Sequence, residues 1–421
     1  MSKPLDGIRV IDFTNAVAGP TATSLLGDYG AHVIKVEAPD SRFINPPGAA
    51  PLKPGAPDEP YNRVMHFNEL NRSKHSLVLD LARPQGHRRF LQLASVCDVV
   101  VENFSPRVLS NLRIDYPDLR VVRPDIIVIS MPAFGKSGPY RDRISYGPGI
   151  DAMSGLSYLT GYQDGPPMKP GNFFCDQNAA QLAVISCLAA LRHRAHTGEG
   201  QWIECAMIEG ELQVIAEALI DYQINGRIQT RTGNRHPRIA PHGVYPCMGD
   251  DKWVAIAAGD DDEFRALCSV MGRPELGVDA RFATLEGRLA NQDSLDEAIS
   301  GWTRGRDHLD VQRELQAAGV PAGAALNTAE LLADEHVRAR GGFEEVEYPD
   351  LARPFPHTRA AFKLRVHQSR IDRRAPQYGE HNRAVLCDLL GLQPAALDEL
   401  KAEGITRDRP TEAATQPGSR Q

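Results

Sequence analysis

Short runs of β-branched residues recur through the first third of the chain, separated by stretches whose apolar positions fall three or four apart. Ile8-Arg-Val-Ile-Asp-Phe13 has the composition of a strand. Small residues over 14–20 then lead into a helix through about Tyr29, with Pro20 suited to a first helical turn and Gly30 as its stop. Residues 32–37, 76–81, 98–102 and 125–130 predict four further strands, with helices over 85–95 and from Arg107 between them. Strands and helices alternating at this spacing predict βαβ units and a parallel sheet covered on both faces. In such sheets ligands bind outside the carboxyl ends of the strands. That singles out residues 15–19, 37–42, 79–82, 103–105 and 130–134. The stretch from Pro39 to Pro60, dense in Pro and Gly, predicts a long loop.

Farther on, a Pro- and Gly-rich segment gives way at Asp176 to a run through Leu191 that is apolar on nearly every side, which predicts a buried helix. Asp176 reads in two ways. It suits an N-cap, whose oxygen accepts from free backbone N–H groups. It also suits a carboxylate held on a rigid post at the lip of a cleft, able to attack an activated acyl group. A strand over 201–206 and a long amphipathic helix through about Gln223 follow. The composition then changes: 225–246 is rich in Arg, Gly, His and Pro, and 252–258 reads as a strand opening a second, smaller α/β unit that runs to about Ala325. The acidic run Asp260-Asp-Asp-Glu263 suits the positive end of a helix over 264–271 better than a cation site.

The formal net charge of −7 argues against bulk attraction to nucleic acid or an anionic membrane surface. The first residues hold no apolar signal region, and no uninterrupted apolar segment approaches the ~20 residues of a membrane span, so a cytoplasmic location is expected. Seven cysteines without Cys-x-x-Cys spacing read as reduced core thiols. Cys175, flanked by Phe173 and Phe174, suits packing, with a catalytic thiol as the alternative. No Gly-x-Gly-x-x-Gly follows the first strand, which removes the main support for a nicotinamide oxidoreductase. Gly147-Pro-Gly-Ile-Asp-Ala152 is a match outside the required strand-to-helix context. Neither a phosphate-binding Gly-x-x-x-x-Gly-Lys-Ser/Thr nor His-Glu-x-x-His is present, so no metal is expected.

Several ordered motifs carry a family likeness: Asp12-Phe-Thr14 with Ala18-Gly-Pro20, Gly30-Ala-His-Val-Ile-Lys-Val-Glu37, Asn71-Arg-Ser-Lys-His-Ser-Leu-Val-Leu-Asp80, Glu102-Asn-Phe-Ser-Pro106, Phe134-Gly-Lys-Ser-Gly-Pro-Tyr140 and His196-Thr-Gly-Glu-Gly-Gln201. With Arg231-Thr-Gly-Asn-Arg-His-Pro237 and Glu335-His-Val-Arg-Ala-Arg340, they span nearly the whole chain. The sequence resembles the class III CoA-transferases, which include formyl-CoA, carnitine and bile-acid CoA-transferases. The resemblance implies an α/β fold with a large Rossmann-like domain with a parallel sheet, built from 1–224 and 326–405, and a smaller α/β domain over 225–325. It implies two subunits threaded through each other like links, an interlocked homodimer. Residues 406–421 are expected to be a disordered tail.

Asp176 falls on that family's catalytic aspartate. There the carboxylate attacks an acyl-CoA thioester, and a mixed anhydride and then an aspartyl-CoA thioester carry the exchange to a carboxylic acid acceptor. Coenzyme A and acyl-CoA are thus expected as substrates, with no tightly bound cofactor. The family's CoA-binding pattern carries over to Val17 and Ala18, Leu79, Asp80, Leu81 and Ala82, Asn103, Phe104 and Ser105, and Tyr146. Val17, Ala18 and Gly19 are also small enough to bring backbone N–H groups to a reacting carbonyl. Lys35, Arg72, Lys74 and Lys136 lie near these loops as possible phosphate partners. The sequence departs from the formyl-CoA enzyme at Ala38, for which Arg42 is a possible substitute, and at Asn111 and Ile144. Two alternatives share the fold: an α-methylacyl-CoA racemase, disfavoured because Tyr146 stands where that family has its catalytic His, and a catalytically silent CoA-binding subunit, disfavoured by the presence of Asp176.

Overall fold

The computed structural model describes residues 3–39, 62, 64–348 and 353–410. Six strands, β1 (Arg9–Phe13), β2 (His32–Glu37), β3 (Lys74–Val78), β4 (Val99–Glu102), β5 (Ile127–Ser130) and β6 (Trp202–Glu204), form one sheet in the order β3-β2-β1-β4-β5-β6. Every pairing is parallel, with Val10 opposite Val33 on one side and Val99 on the other. Because side chains alternate along a strand, the sheet feeds two cores. Val10, Val33, Val99, Val101, Ile127 and Ile129 meet the helices Ala18–Asp28 and Phe174–Thr197 on one face. Ile11, Ile34, Leu77, Val100 and Val128 meet Phe90, Leu93, Leu109, Leu119 and the C-terminal Leu397 and Leu400 on the other. The order reverses between β1 and β4, so the loops after these two strands diverge and leave a crevice.

The third strand begins at Lys74, two residues earlier than its apolar pattern suggests, and ends at Val78. A fully buried lysine reads poorly as a strand residue, and this one is accommodated by a 2.8 Å ion pair with Asp12. The long helix expected after β6 is two helices, Met207–Val214 and Ala216–Asn225, broken at Ile215. The helix Phe174–Thr197, at 24 residues, is long and apolar enough to cross a membrane by length and composition, although polar residues such as Gln177, Asn178 and Gln181 interrupt it. Its buried residues Ala179, Ala180, Ala183 and Cys187 belong to the sheet core, where such a composition is equally at home.

The chain divides into two compact units, the first comprising Met1–Leu156, Lys169–Ile220 and Ala339–Gln421 and the second Ser157–Met168 and Asp221–Arg338. The sequence reading had set the boundaries at 224/225 and 325/326. Ser157–Met168 joins the second unit because Arg231 donates to Tyr158 O (2.9 Å) and Gly165 O (3.1 Å). That unit holds an antiparallel sheet of β7 (His242–Pro246), β8 (Trp253–Ala257) and β9 (Ala322–Ala324), in that order. The acidic run caps a helix as expected, Asp260 accepting from the N–H groups of Asp262 and Glu263.

In the first unit a hairpin of β10 (Phe343–Val346) and β11 (Phe355–Thr358) precedes a segment that runs along the free edge of β3. Ser73 N–H donates to Arg373 O, Val78 N–H to Asn382 Oδ1 and Asp80 N–H to Ile405 O. Residues 406–410, expected to belong to a disordered tail, are instead held in place. Thr406 is buried, and the Asn382 amide donates to Arg407 O (2.8 Å) and Asp408 Oδ1 (3.0 Å). Residues 411–421 and residues 40–61, which include Arg42 and most of the loop expected from Pro39 to Pro60, lie outside the described residues.

Candidate active site

Asp176 is not an N-cap. Phe173 holds that position with a left-handed φ of 58°, and Asp176 lies in the first turn of the helix Phe174–Thr197. Its side chain is 8 % exposed. The backbone N–H groups of Ala18 and of Asp176 itself act on the carboxylate, while Oδ2 has no hydrogen-bond partner among the described residues. Ala18 opens the helix Ala18–Asp28, so the carboxylate faces the positive ends of two helices. Burial nevertheless pushes its pKa up to about 6, the Ala18 N–H opposes this, and the Asp151 charge adds to it. Such a group is ionised at neutral pH yet more basic than an ordinary carboxylate, which suits a nucleophile.

The free oxygen exists because residue 147 is glycine. A Cβ built on Gly147 would lie 2.2 Å from Asp176 Oδ2, so any side chain there would displace the carboxylate. The Gly-x-Gly at 147–149 is thus not a dinucleotide turn. It opens the helix Gly147–Ser154 after a long loop rather than a strand. Tyr146, one residue before, is 73 % exposed.

At the switch point of the sheet, a cavity of about 210 Å³ is lined by Asn15, Ala16, Lys35, His66, Phe104 and neighbours. Asn103 ties its two loops together: its Oδ1 accepts from Asn15 N–H (2.9 Å) and its amide donates to Asn15 O (2.8 Å). Phe104 packs on Phe13 with ring centroids 4.8 Å apart, which makes it both wall and core. The run Ala16, Val17, Ala18 leads from the cavity to Asp176, and the His66 ring lies 5.3 Å from that of Phe173. The cavity wall and the carboxylate are thus joined through one short stretch of chain, although Asp176 itself does not line the cavity.

The other expected residues divide. Gly19 lies inside the helix, where a Cβ would meet Thr14 at 2.4 Å, so its role is close packing. Leu79 and Leu81 are core residues, Asp80 turns the chain by accepting from Ala82 N–H (3.0 Å), and none of these four lines the cavity. Ser105 is exposed beside it. The four basic residues are engaged internally. Lys74 is paired with Asp12, Lys35 donates to Thr14 O (2.9 Å), Arg72 pairs with Asp28 (3.0 Å) and Lys136 with Glu102 (2.8 Å). Cys175 is fully buried and its thiol is pushed far up by burial, which removes it as a nucleophile.

The whole chain has clear relatives. Residues 5–382 match the model of CoA-transferase family III. The succinyl-CoA–D-citramalate CoA-transferase of Chloroflexus aurantiacus is 35 % identical over 96 % of this chain and 98 % of its own length. The succinate–glutarate CoA-transferase of Agrobacterium fabrum is also 35 % identical, over 93 % and 97 %. A crystal structure of a CaiB/BaiF family protein from Brucella suis superimposes with a TM-score of 0.83 at 33 % identity, covering 92 % of this chain and all of that one. Sequence, relatives and fold agree along nearly the full length, and the chain belongs to CoA-transferase family III as a CoA-transferase.

Proposed function

We propose that the protein exchanges CoA between succinyl-CoA and a second carboxylic acid, with Asp176 as the covalent nucleophile. The observation that carries this is a buried carboxylate with one oxygen unpartnered among the described residues, faced by the Ala18 N–H and packed against Gly147, where only a glycine leaves room for it. An Asp176 oxygen attacks the thioester carbonyl, the C–S bond breaks, and CoA leaves as thiolate. The thiolate then attacks the aspartyl carbonyl of the mixed anhydride, whose C–O bond breaks to release succinate. The acceptor carboxylate attacks the aspartyl-CoA thioester and expels thiolate, which takes the acceptor's acyl group and restores Asp176. Each addition places negative charge on an oxygen that the N–H groups at the helix start can stabilise. Succinyl-CoA is chosen as donor because the relatives are named for succinyl-CoA or succinate. CoA would lie along the cavity at the switch point, and two chains would interlock as the family likeness implies.

The test is to incubate the protein with succinyl-CoA, trap with hydroxylamine and examine the Asp176 peptide by mass spectrometry. A hydroxamate at Asp176, absent in Asp176→Asn, is the expected result. An unmodified peptide under conditions of active turnover would refute covalent catalysis at this residue. Citramalate, glutarate, malate and mesaconate then form the first acceptor panel.

A further inference from the structure

Behind the nucleophile lies a group of side chains that the exchange itself does not use. Asp151 on the helix Gly147–Ser154, Cys175 on the helix Phe174–Thr197 and Glu211 on the helix Met207–Val214 bring ligand-type atoms within 4.8 Å of one another. Asp151 is 1 % exposed and Glu211 0 %. Among the described residues, Asp151 Oδ1 and both oxygens of Glu211 have no hydrogen-bond partner, and the Asn178 amide acts on Glu211 without closing a well-formed bond. The cation that acts on Asp151 is Lys169, which is exposed and held by Asn172. Two carboxylates this close and this dry cannot both be ionised. One must keep its proton, and the two titrate as a pair.

The pair is also mechanically joined to the nucleophile. Asp151 accepts a hydrogen bond from the backbone of Cys175, the residue before Asp176, and so grips the first turn of the helix that presents it. We propose that Asp151 and Glu211 are positioning residues for the transfer reaction: they share one proton behind Asp176, so that a single negative charge stands beside the nucleophile and keeps its carboxylate reactive. The inference rests on Asp176 being the nucleophile. The electrostatic arrangement supports it, since burial raises both Asp151 and Glu211, the Asp151 charge raises Glu211 further, and Asp151 acts directly on Asp176.

Sharing makes the two members respond in opposite ways. In Asp151→Asn the charge passes to Glu211, farther from the nucleophile. In Glu211→Gln it is confined to Asp151, next to the nucleophile. The acid limb of the kcat profile, near pH 6 in the unaltered enzyme, should therefore move down by about one unit in Asp151→Asn and stay or move up in Glu211→Gln. The kcat plateau should fall several-fold in Asp151→Asn, with KM for succinyl-CoA unchanged in both variants. Limbs that move together, or do not move, would overturn the proposal, as would a divalent metal bound stoichiometrically in the purified protein and lost in Glu211→Gln. Should Asp151→Asn not fold, Glu211→Gln alone carries the test, because a limb that fell in it would contradict the shared proton. Failure of the underlying reading is distinguishable: it appears as a missing hydroxamate on Asp176 in the unaltered enzyme.

Discussion

Asp12 and Asp176 are both removed from water, one at the end of β1 and the other in the first turn of a helix packed on the same sheet, yet their environments drive them in opposite directions. Burial pushes on Asp12 as well, but Lys35 and Lys74 more than offset it, and with hydrogen bonds from Lys74 and Thr14 its carboxyl is held at about 2. Asp176 receives N–H groups and, among the described residues, no cation, and rises to about 6. Depth alone therefore does not make a carboxylate reactive. A buried anion with cations around it is an anchor, whereas one with an unpartnered oxygen and dipoles in place of cations beside it keeps its capacity to form a bond.

The largest effect should come from deleting the unpaired carboxylate. Asp176→Ala is expected to lower kcat by at least about three orders of magnitude while leaving the circular dichroism spectrum unchanged, measured by CoA exchange from succinyl-CoA. Asp12→Ala should do the reverse, costing about 3–5 kcal/mol of stability in a denaturant titration because Lys74 would be left buried without its counter-charge. The anchor's contribution has a definite pH window. With its folded pKa below the unfolded value, it is fully present above the ordinary carboxylate range and is lost as pH falls through about 2.

Gly147→Ala tests whether the open oxygen matters. A methyl group at 2.2 Å must displace Oδ2, and a loss near 10²-fold in kcat is expected from a displacement on the order of 1 Å. The smallest effect sharpens the comparison most. Asp176 binds its proton more tightly when folded, so its charge weakens the fold above the ordinary carboxylate range, and Asp176→Asn should stabilise the protein at neutral pH. A rise from 3.8 to about 6 corresponds to roughly 2–3 kcal/mol, a gain that should fade below about pH 4. No stabilisation in that variant would mean that the two aspartates differ less than their surroundings indicate.

The alternating strands were legible because each repeats a local pattern, and β2 falls where its pattern lies. The place of Asp176 at the start of an apolar helix was legible, but the capping role that this place suggests is not fulfilled, since Phe173 in a left-handed conformation caps that helix instead. The basic residues show the limit of reading charge along a sequence. Lys35, Arg72, Lys74 and Lys136 look like anion binders, but each has an internal oxygen partner contributed by a segment distant in the chain or across a turn. Strand β7 was hidden in an Arg-, Gly-, His- and Pro-rich stretch because its pairing with β8, not its own composition, makes it a strand. The Asp151–Glu211 pair was invisible for a similar reason: three helices must converge before the two acids meet. Gly147 gave a sequence signal, but what it makes room for appears only with Asp176 beside it.

The segment along the edge of β3 has a consequence for how the protein is made. Its contacts come from Arg373, Asn382 and Ile405, some 300 residues after the strand they cover. On the ribosome, β1 to β5 emerge early, but the outer strand waits through synthesis of the entire second unit before its bare N–H groups find partners. An unprotected edge of this kind invites pairing with other chains. The newborn polypeptide should therefore be most in need of a chaperone during that interval, and release from it should coincide with the arrival of the last few dozen residues.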